Sequence, residues 1–251
     1  MDDAAFSALG IKHGLAYPFG LLTPGTIYSH ACMAETRGPL IDALRKTELD
    51  DIDRWRLDLM ERGLARLGDR WDFADNVTIA HAFAQLAAPK RVLEIGVRRG
   101  FCTAAVAAGA PDAEIHLIDM WMANYSGVAN PGPDLIRQQL DACGHRGPLH
   151  IHSGDSHAVL PELFGAQPNL TFDLILVDGD HTAAGAALDL AQTAPRLAAG
   201  GLLVFDDLVH PGYPHLLSLW RQFLEKIGSH ARSFEYLDHG RGVGLALRVS
   251  H

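Results

Sequence analysis

The chain has 251 residues, 48% apolar and 20% charged, with a formal net charge of −9. A chain of this length buries a substantial core without staples, its composition excludes disorder, and its acidic balance excludes the basic footprint of a nucleic-acid binder while admitting a small, even cationic, ligand. Cys32, Cys102 and Cys143 are odd in number and match no zinc or disulfide spacing. With no basic-then-apolar leader and no apolar run of about 18 residues, the expectation is a cytoplasmic protein with reduced thiols and no membrane span.

Residues 1–75 divide into a Pro/Gly-punctuated stretch, AYPFGLLTPGTIYSH, and a helical-looking run, RGPLIDALRKTELDDIDRWRLDLMERGLARLG. No strand pattern occurs there. The segment is expected to be a helical extension acting as a lid over substrate, a subunit contact (a homodimer being the first guess), or both. Residues 76–251 are expected to form the main domain. NVTIAHAFAQLAA reads as a helix leading into RVLEIGV (91–97), the first strand. FCTAAVAAGA suits a helix closed by Pro111. EIHLIDM (114–120) is the second strand, and PDLIRQQLDAC (133–143) a helix opened by Pro133. LHIHSGD (149–155) and FDLILVDGD (172–180) are strands three and four. TAAGAALDLAQTAPRLAAG is expected to be a helix closed by glycines, with Pro195 kinking or shortening it. GLLVFDD is strand five, and PHLLSLWRQFLEKIG an amphipathic helix that places Trp220 in the core. SFEYLD and VGLALRVS close the chain as a hairpin through DHGRG.

Strands alternating with helices, and strand cores that are continuous apolar runs, predict an α/β fold with a Rossmann-like, doubly wound seven-stranded sheet. It is mostly parallel, with an antiparallel C-terminal strand. Ligands of such sheets bind beyond the carboxyl ends of the strands. That is where LILVDGDH and GGLLVFDD place Asp178, His181, Asp206 and Asp207, polar residues that would be costly inside a core.

The loop after the first strand supplies Glu94, Gly96 and Gly100, whose glycines permit a tight turn and close approach to a ligand. The G-x-x-x-G spacing is not the dinucleotide fingerprint, which argues against a pyrophosphate. Asp119, ending strand two, is suited to a ribose diol. Asp155 and Ser156, after strand three, are suited to an adenine, which Trp121 and Tyr125 are also placed to cover. His157 and His210 lie in strand-end loops and read as solvated histidines.

In this order, VLEIGVRRGF, HLIDM, SGDSHAVLPEL, VDGDH and FDD resemble the motifs of class I S-adenosylmethionine-dependent methyltransferases, more narrowly their metal-dependent O-methyltransferases. The resemblance covers residues 90–212 and not residues 1–75. It implies that Glu94, Gly96, Val97 and Gly100 surround the methionine part of the donor. Asp119 and Met120 would meet its ribose, Asp155 and Ser156 its adenine, and Asp178 would also lie on the donor side.

Asp178 and the Asp206–Asp207 pair are separated by one strand–helix–strand unit, so neighbouring parallel strands can bring them together. Three carboxylates at one point repel each other, a conflict that a divalent cation removes. All-oxygen ligands suit Mg²⁺, with Ca²⁺ or Mn²⁺ left open. Catechol-type enzymes carry Asp-Asn where this chain has Asp206–Asp207, and a Lys base where it has His181. On both counts the chain is similar to the macrocin- and mycinamicin-type sugar O-methyltransferases. The resemblance implies that His181 takes the proton from the acceptor hydroxyl of a small molecule, a sugar or natural-product glycoside in the first instance. Phenol methylation, an Fe²⁺-dependent oxygenase resembling cephalosporin hydroxylases, and a non-catalytic donor-binding module are the alternatives.

Overall fold

The computed structural model describes residues 22–249. Seven strands form one sheet in the order β3-β2-β1-β4-β5-β7-β6. They are β1 (Arg91–Ile95), β2 (Glu114–Asp119), β3 (Leu149–Ser153), β4 (Phe172–Val177), β5 (Leu197–Phe205), β6 (Ala231–Tyr236) and β7 (Val243–Arg248). Strands β1 to β5 pair in parallel, while β7 runs antiparallel to both β5 and β6. The order reverses between β1 and β4, and the first crossovers leave from that point in opposite directions, so a crevice opens at their carboxyl ends.

The nine helices among the described residues are α1 (Pro24–Ala31), α2 (Ala34–Leu44), α3 (Asp51–Leu67), α4 (Asn76–Ala87), α5 (Phe101–Gly109), α6 (Pro133–Ala142), α7 (Ser156–Ala166), α8 (Ala183–Thr193) and α9 (Leu216–Ile227). None is long and apolar enough to cross a membrane. Alternate strand residues feed two cores. Val92, Leu117, Leu176 and Val204 pack on one face with α4 and α5, and Leu93, Ile118, Ile175 and Leu203 on the other with Leu160, Leu190 and Trp220. Trp220 is fully buried, as its apolar stripe implies.

Three elements differ from the sequence expectation. The stretch around TPGTIYSH is not irregular throughout. Thr23 accepts a hydrogen bond from the Thr26 amide, Pro24 takes the first helical turn, and α1 follows with Ile27 and Ala31 fully buried. The part of the expected lid before residue 22 lies outside the described residues. The helix expected through residue 200 stops at Thr193, and residues 197–200 already belong to β5. Pro195 lacks the amide that another helical turn needs, and it sits in a single 3₁₀ turn instead. Finally, the third strand, expected to run to residue 155, ends at Ser153, and Asp155 instead caps α7, accepting the His157 amide at 2.9 Å.

The N-terminal helices do not stand apart. Ile27, Leu40, Leu44, Leu57 and Met60 belong to the same apolar cluster as Val92 and Leu174 of the sheet. Ion pairs reinforce the join. Arg98, in the loop after β1, binds Asp53 at 3.0 Å and also pairs with Asp50, which caps α3.

Candidate active site

A cleft of about 1500 Å³ lies over the carboxyl ends of β1, β2, β4 and β5. Its floor includes Gly96, Asp119, Asp178, Asp206 and Asp207, and one wall is α3 with Trp55, Arg56 and Leu59. The helical extension therefore reaches the cleft through α3 and the segment that follows it. Helix α1 does not line it.

The acids converge because β4 and β5 are adjacent and in register, Val177 opposite Phe205. Asp178 and Asp206 each follow the last residue of a strand. The Asp178 amide bonds to Ile95 O at 2.9 Å and the Asp206 amide to Val177 O at 3.2 Å, so both keep the sheet's orientation. Asp207 adopts a left-handed backbone with φ +63°, a conformation unfavourable for a side-chain-bearing residue and frequent at functional sites. This turn brings its carboxylate to His181, with Oδ2 at 3.1 Å from Nε2, while Asp178 Oδ1 lies 3.4 Å from the same nitrogen. Donor atoms of Asp178, His181 and Asp207 all lie within 4.8 Å of one another. Asp206 lines the same cleft but stands outside that cluster, next to Arg56.

Electrostatics make the cluster a high-energy arrangement. Burial raises the Asp178 carboxyl above its ordinary value, against the pull of His181. Burial, then the charges of Asp178 and Asp207, raise Asp206 well above its ordinary value. Desolvation alone would lower His181, but its two carboxylate partners outweigh that and push it up to about 10. Tyr213 stacks on the imidazole with ring centroids 4.6 Å apart, and His215 Nε2 lies 2.8 Å from the His181 carbonyl.

A divalent cation fits these residues. Asp207 Oδ1 is buried and accepts no hydrogen bond, and the carboxylates supply the hard oxygen donors such an ion takes. Asp178 and Asp207 would hold it, with Asp206 close by and the His181 imidazole beside it.

The donor-side residues are less uniform. Gly96 lines the cleft with φ +84°. Asp119 lines it too, its carboxylate oriented by the Arg98 amide at 2.7 Å and the Trp121 amide at 2.5 Å. Met120, Tyr125, Asp155, Ser156 and Asp178 also line it. The Ser156 hydroxyl donates to Asp189 at 2.7 Å, so its proton is already committed. Glu94, Val97 and Gly100 do not line the cleft. Glu94 is 3% exposed and accepts from the Thr103 hydroxyl at 2.6 Å, beneath the loop. Val97 packs in the core. Gly100 opens α5 with φ +79°, where a Cβ would meet Ile136 at 2.9 Å. Trp121 bonds Ser153 instead of lining the cleft. His157 packs against Gly185 O and Asp189, and His210 stacks on Tyr213.

Arg56 and Asn76 were not legible as site residues. Arg56 binds Asp75 at 2.9 Å and Asn76 at 2.8 Å, and its charge opposes the rise of Asp206. Asn76 Nδ2 donates to Asp178 Oδ2 at 3.3 Å. The only sequence signal was that both lie on helices preceding β1.

Residues 93–208 match a family model described as a methyltransferase domain. No curated protein matches the chain by sequence. Among solved structures, the O-methyltransferase TomG of Streptomyces achromogenes, involved in tomaymycin synthesis and determined with SAM, is 16% identical, with 100% of both chains covered and a TM-score of 0.55. CalS11, the TDP-rhamnose 3′-O-methyltransferase of calicheamicin biosynthesis, is 21% identical over 85% of this chain and 93% of its own, with a TM-score of 0.52. An O-methyltransferase from Bacillus cereus, determined with SAH, is 16% identical over 67% of this chain and 79% of its own, with a TM-score of 0.53. At such identities the likeness is one of fold.

Proposed function

We propose that this chain, whose residues 93–208 match a methyltransferase-domain model and whose fold resembles that of O-methyltransferases, transfers a methyl group from S-adenosylmethionine to a hydroxyl of a small molecule, aided by a divalent cation. The observation that carries it is the meeting of Asp178, His181 and Asp207 at the ends of β4 and β5, in the same cleft as Gly96 and Asp119.

In this reading Asp119 receives the ribose hydroxyls, since its two amide partners leave lone pairs free on each oxygen. Gly96 lets the donor approach the backbone. Asp178 and Asp207 hold the cation, Mg²⁺ in the first instance. Once bound, the cation lowers the pKa of a hydroxyl beside it. His181 stands where it can take that hydroxyl's proton. With both carboxylates free the imidazole keeps its own proton, so engagement of Asp178 and Asp207 elsewhere is what frees Nε2 as a base. The sulfonium carbon–sulfur bond breaks as the acceptor oxygen–carbon bond forms, and S-adenosylhomocysteine leaves.

The cleft exceeds the roughly 300–1000 Å³ of an ordinary small-molecule site, which supports a bulky acceptor beside the donor. Trp55, Trp71, Met122 and Tyr125 give that space an apolar wall, suited to a natural-product glycoside with the sugar hydroxyl toward the acids. The test is S-adenosylhomocysteine formation across a panel of glycosides, free sugars and catechols. Turnover that stops with a chelator and returns with Mg²⁺ is expected. Turnover unaffected by chelator in the wild-type chain would exclude the cation. Fe²⁺-dependent oxygen consumption without methyl transfer would favour the oxygenase reading.

A further inference from the structure

At the opposite end of the sheet from the cleft, β2 and the edge strand β3 carry a second cluster of donors. Glu114 opens β2 and His116 follows on the same face, while His150 on β3 pairs with His116 in parallel register. The His116 and His150 rings stack with centroids 4.3 Å apart. This brings both to one oxygen. Glu114 Oε1 lies 3.3 Å from His116 Nε2 and 3.1 Å from His150 Nε2. One donor atom from each residue falls within a 4.8 Å span.

The two Glu114–imidazole separations are close to the edges of a coordination tetrahedron, and a swing of the exposed His150 ring out of its stack turns its Nε2 lone pair toward the same point. With metal–ligand bonds of about 2.0–2.1 Å, tetrahedral neighbours are about 3.4 Å apart. The surroundings orient the set. Arg91 Nε binds the other Glu114 oxygen at 3.1 Å, which leaves Oε1 to the rings. His152 Nε2 lies 3.3 Å from His116 Nδ1. A proton shared there would leave the His116 Nε2 lone pair facing Glu114, the outer-sphere arrangement common behind metal-bound histidines. His116 is 1% exposed, whereas the His150 side chain is 44% exposed, so an ion has both a fixed seat and an entry path.

We propose that Glu114, His116 and His150 bind a tetrahedral transition-metal dication, with Zn²⁺ the best match to two imidazoles and one carboxylate. Water takes the fourth position. The donor set differs from the carboxylate-rich cleft, and none of its residues lines that cleft. Its effect is mechanical: it cross-links the edge strand β3 to β2 at the end of the sheet opposite the cleft.

The metal-stripped full chain is titrated with Zn²⁺ in excess Mg²⁺, which competes for the carboxylates of the cleft, and with Co²⁺ as a spectroscopic probe. One site is expected, with the intense visible absorption of tetrahedral Co²⁺ that Zn²⁺ abolishes. Zinc should also raise the thermal midpoint. His150→Ala, at an exposed ring that leaves the core intact by circular dichroism, should weaken zinc binding roughly tenfold or more and lose both the absorption and the thermal shift. Asp178→Asn should keep all three. A wild-type chain that binds no zinc under these conditions overturns the assignment. So does undiminished binding by His150→Ala, or zinc binding that disappears in Asp178→Asn.

Discussion

A Cβ built on Gly96 would lie 1.8 Å from the carbonyl oxygen of Asp178. The loop expected to face the donor and the strand end carrying a candidate metal ligand are thus in direct backbone contact. Gly96→Ala adds a left-handed strain at φ +84° to this clash. It should destabilise the chain by about 1–3 kcal/mol in urea unfolding and lower S-adenosylhomocysteine affinity. Unchanged affinity with intact turnover would show that the contact does not shape the site.

His181→Ala removes the candidate base and should reduce turnover roughly 10²–10⁴-fold with little change in donor affinity. Asp207→Asn should weaken the response to Mg²⁺ more than Asp206→Asn, because only Asp207 shares the close cluster with Asp178 and His181. Equal Mg²⁺ titrations for the two variants would instead make Asp206 an equivalent ligand.

Arg56→Met leaves Asp75 and Asp206 without their shared cation. Arg56 is 26% and Asp75 18% exposed, so the loss should be about 2 kcal/mol, less than for a fully buried pair. Chemical denaturation measures it. Mg²⁺ should bind this variant more tightly, since a competing cation has gone, and isothermal titration reads that change.

Arg98→Gln cuts the links to Asp50 and Asp53, while its backbone amide still reaches Asp119. The expected outcome is a less stable chain with a raised KM for the donor and a smaller change in kcat. A variant with unaltered stability would show that the ion pairs do not hold α3 against the loop.

Glu94 sets a pH dependence. Burial pushes its carboxyl up to about 8, partly offset by the Thr103 hydrogen bond. A folded-state value raised above the unfolded one gives stability that is present below about 4.5 and lost as pH rises through about 8. Glu94→Gln keeps an acceptor for Thr103 and removes the ionisation. The wild type should therefore lose on the order of a few kcal/mol across that window relative to the variant. Parallel pH profiles in urea unfolding would contradict the buried ionisation.

The sequence by itself determined the strands and the strand ends at which the candidate site lies. Continuous apolar runs that end in Asp119, Asp178 and Asp206–Asp207 can only be buried strands emerging at one edge, because a carboxylate inside such a run would go unsolvated. Tertiary packing decided the rest. Periodicity reports which face is buried but not what it meets, so nothing local announced that Asn76 reaches Asp178 across 102 residues or that Arg56 on α3 neutralises the acids. Nor did the motif show that Glu94 turns beneath its loop toward Thr103 while Gly96, two residues on, faces the cleft. Those outcomes depend on how α3 and α4 dock on the sheet, and on the left-handed turn that aims Asp207 at His181.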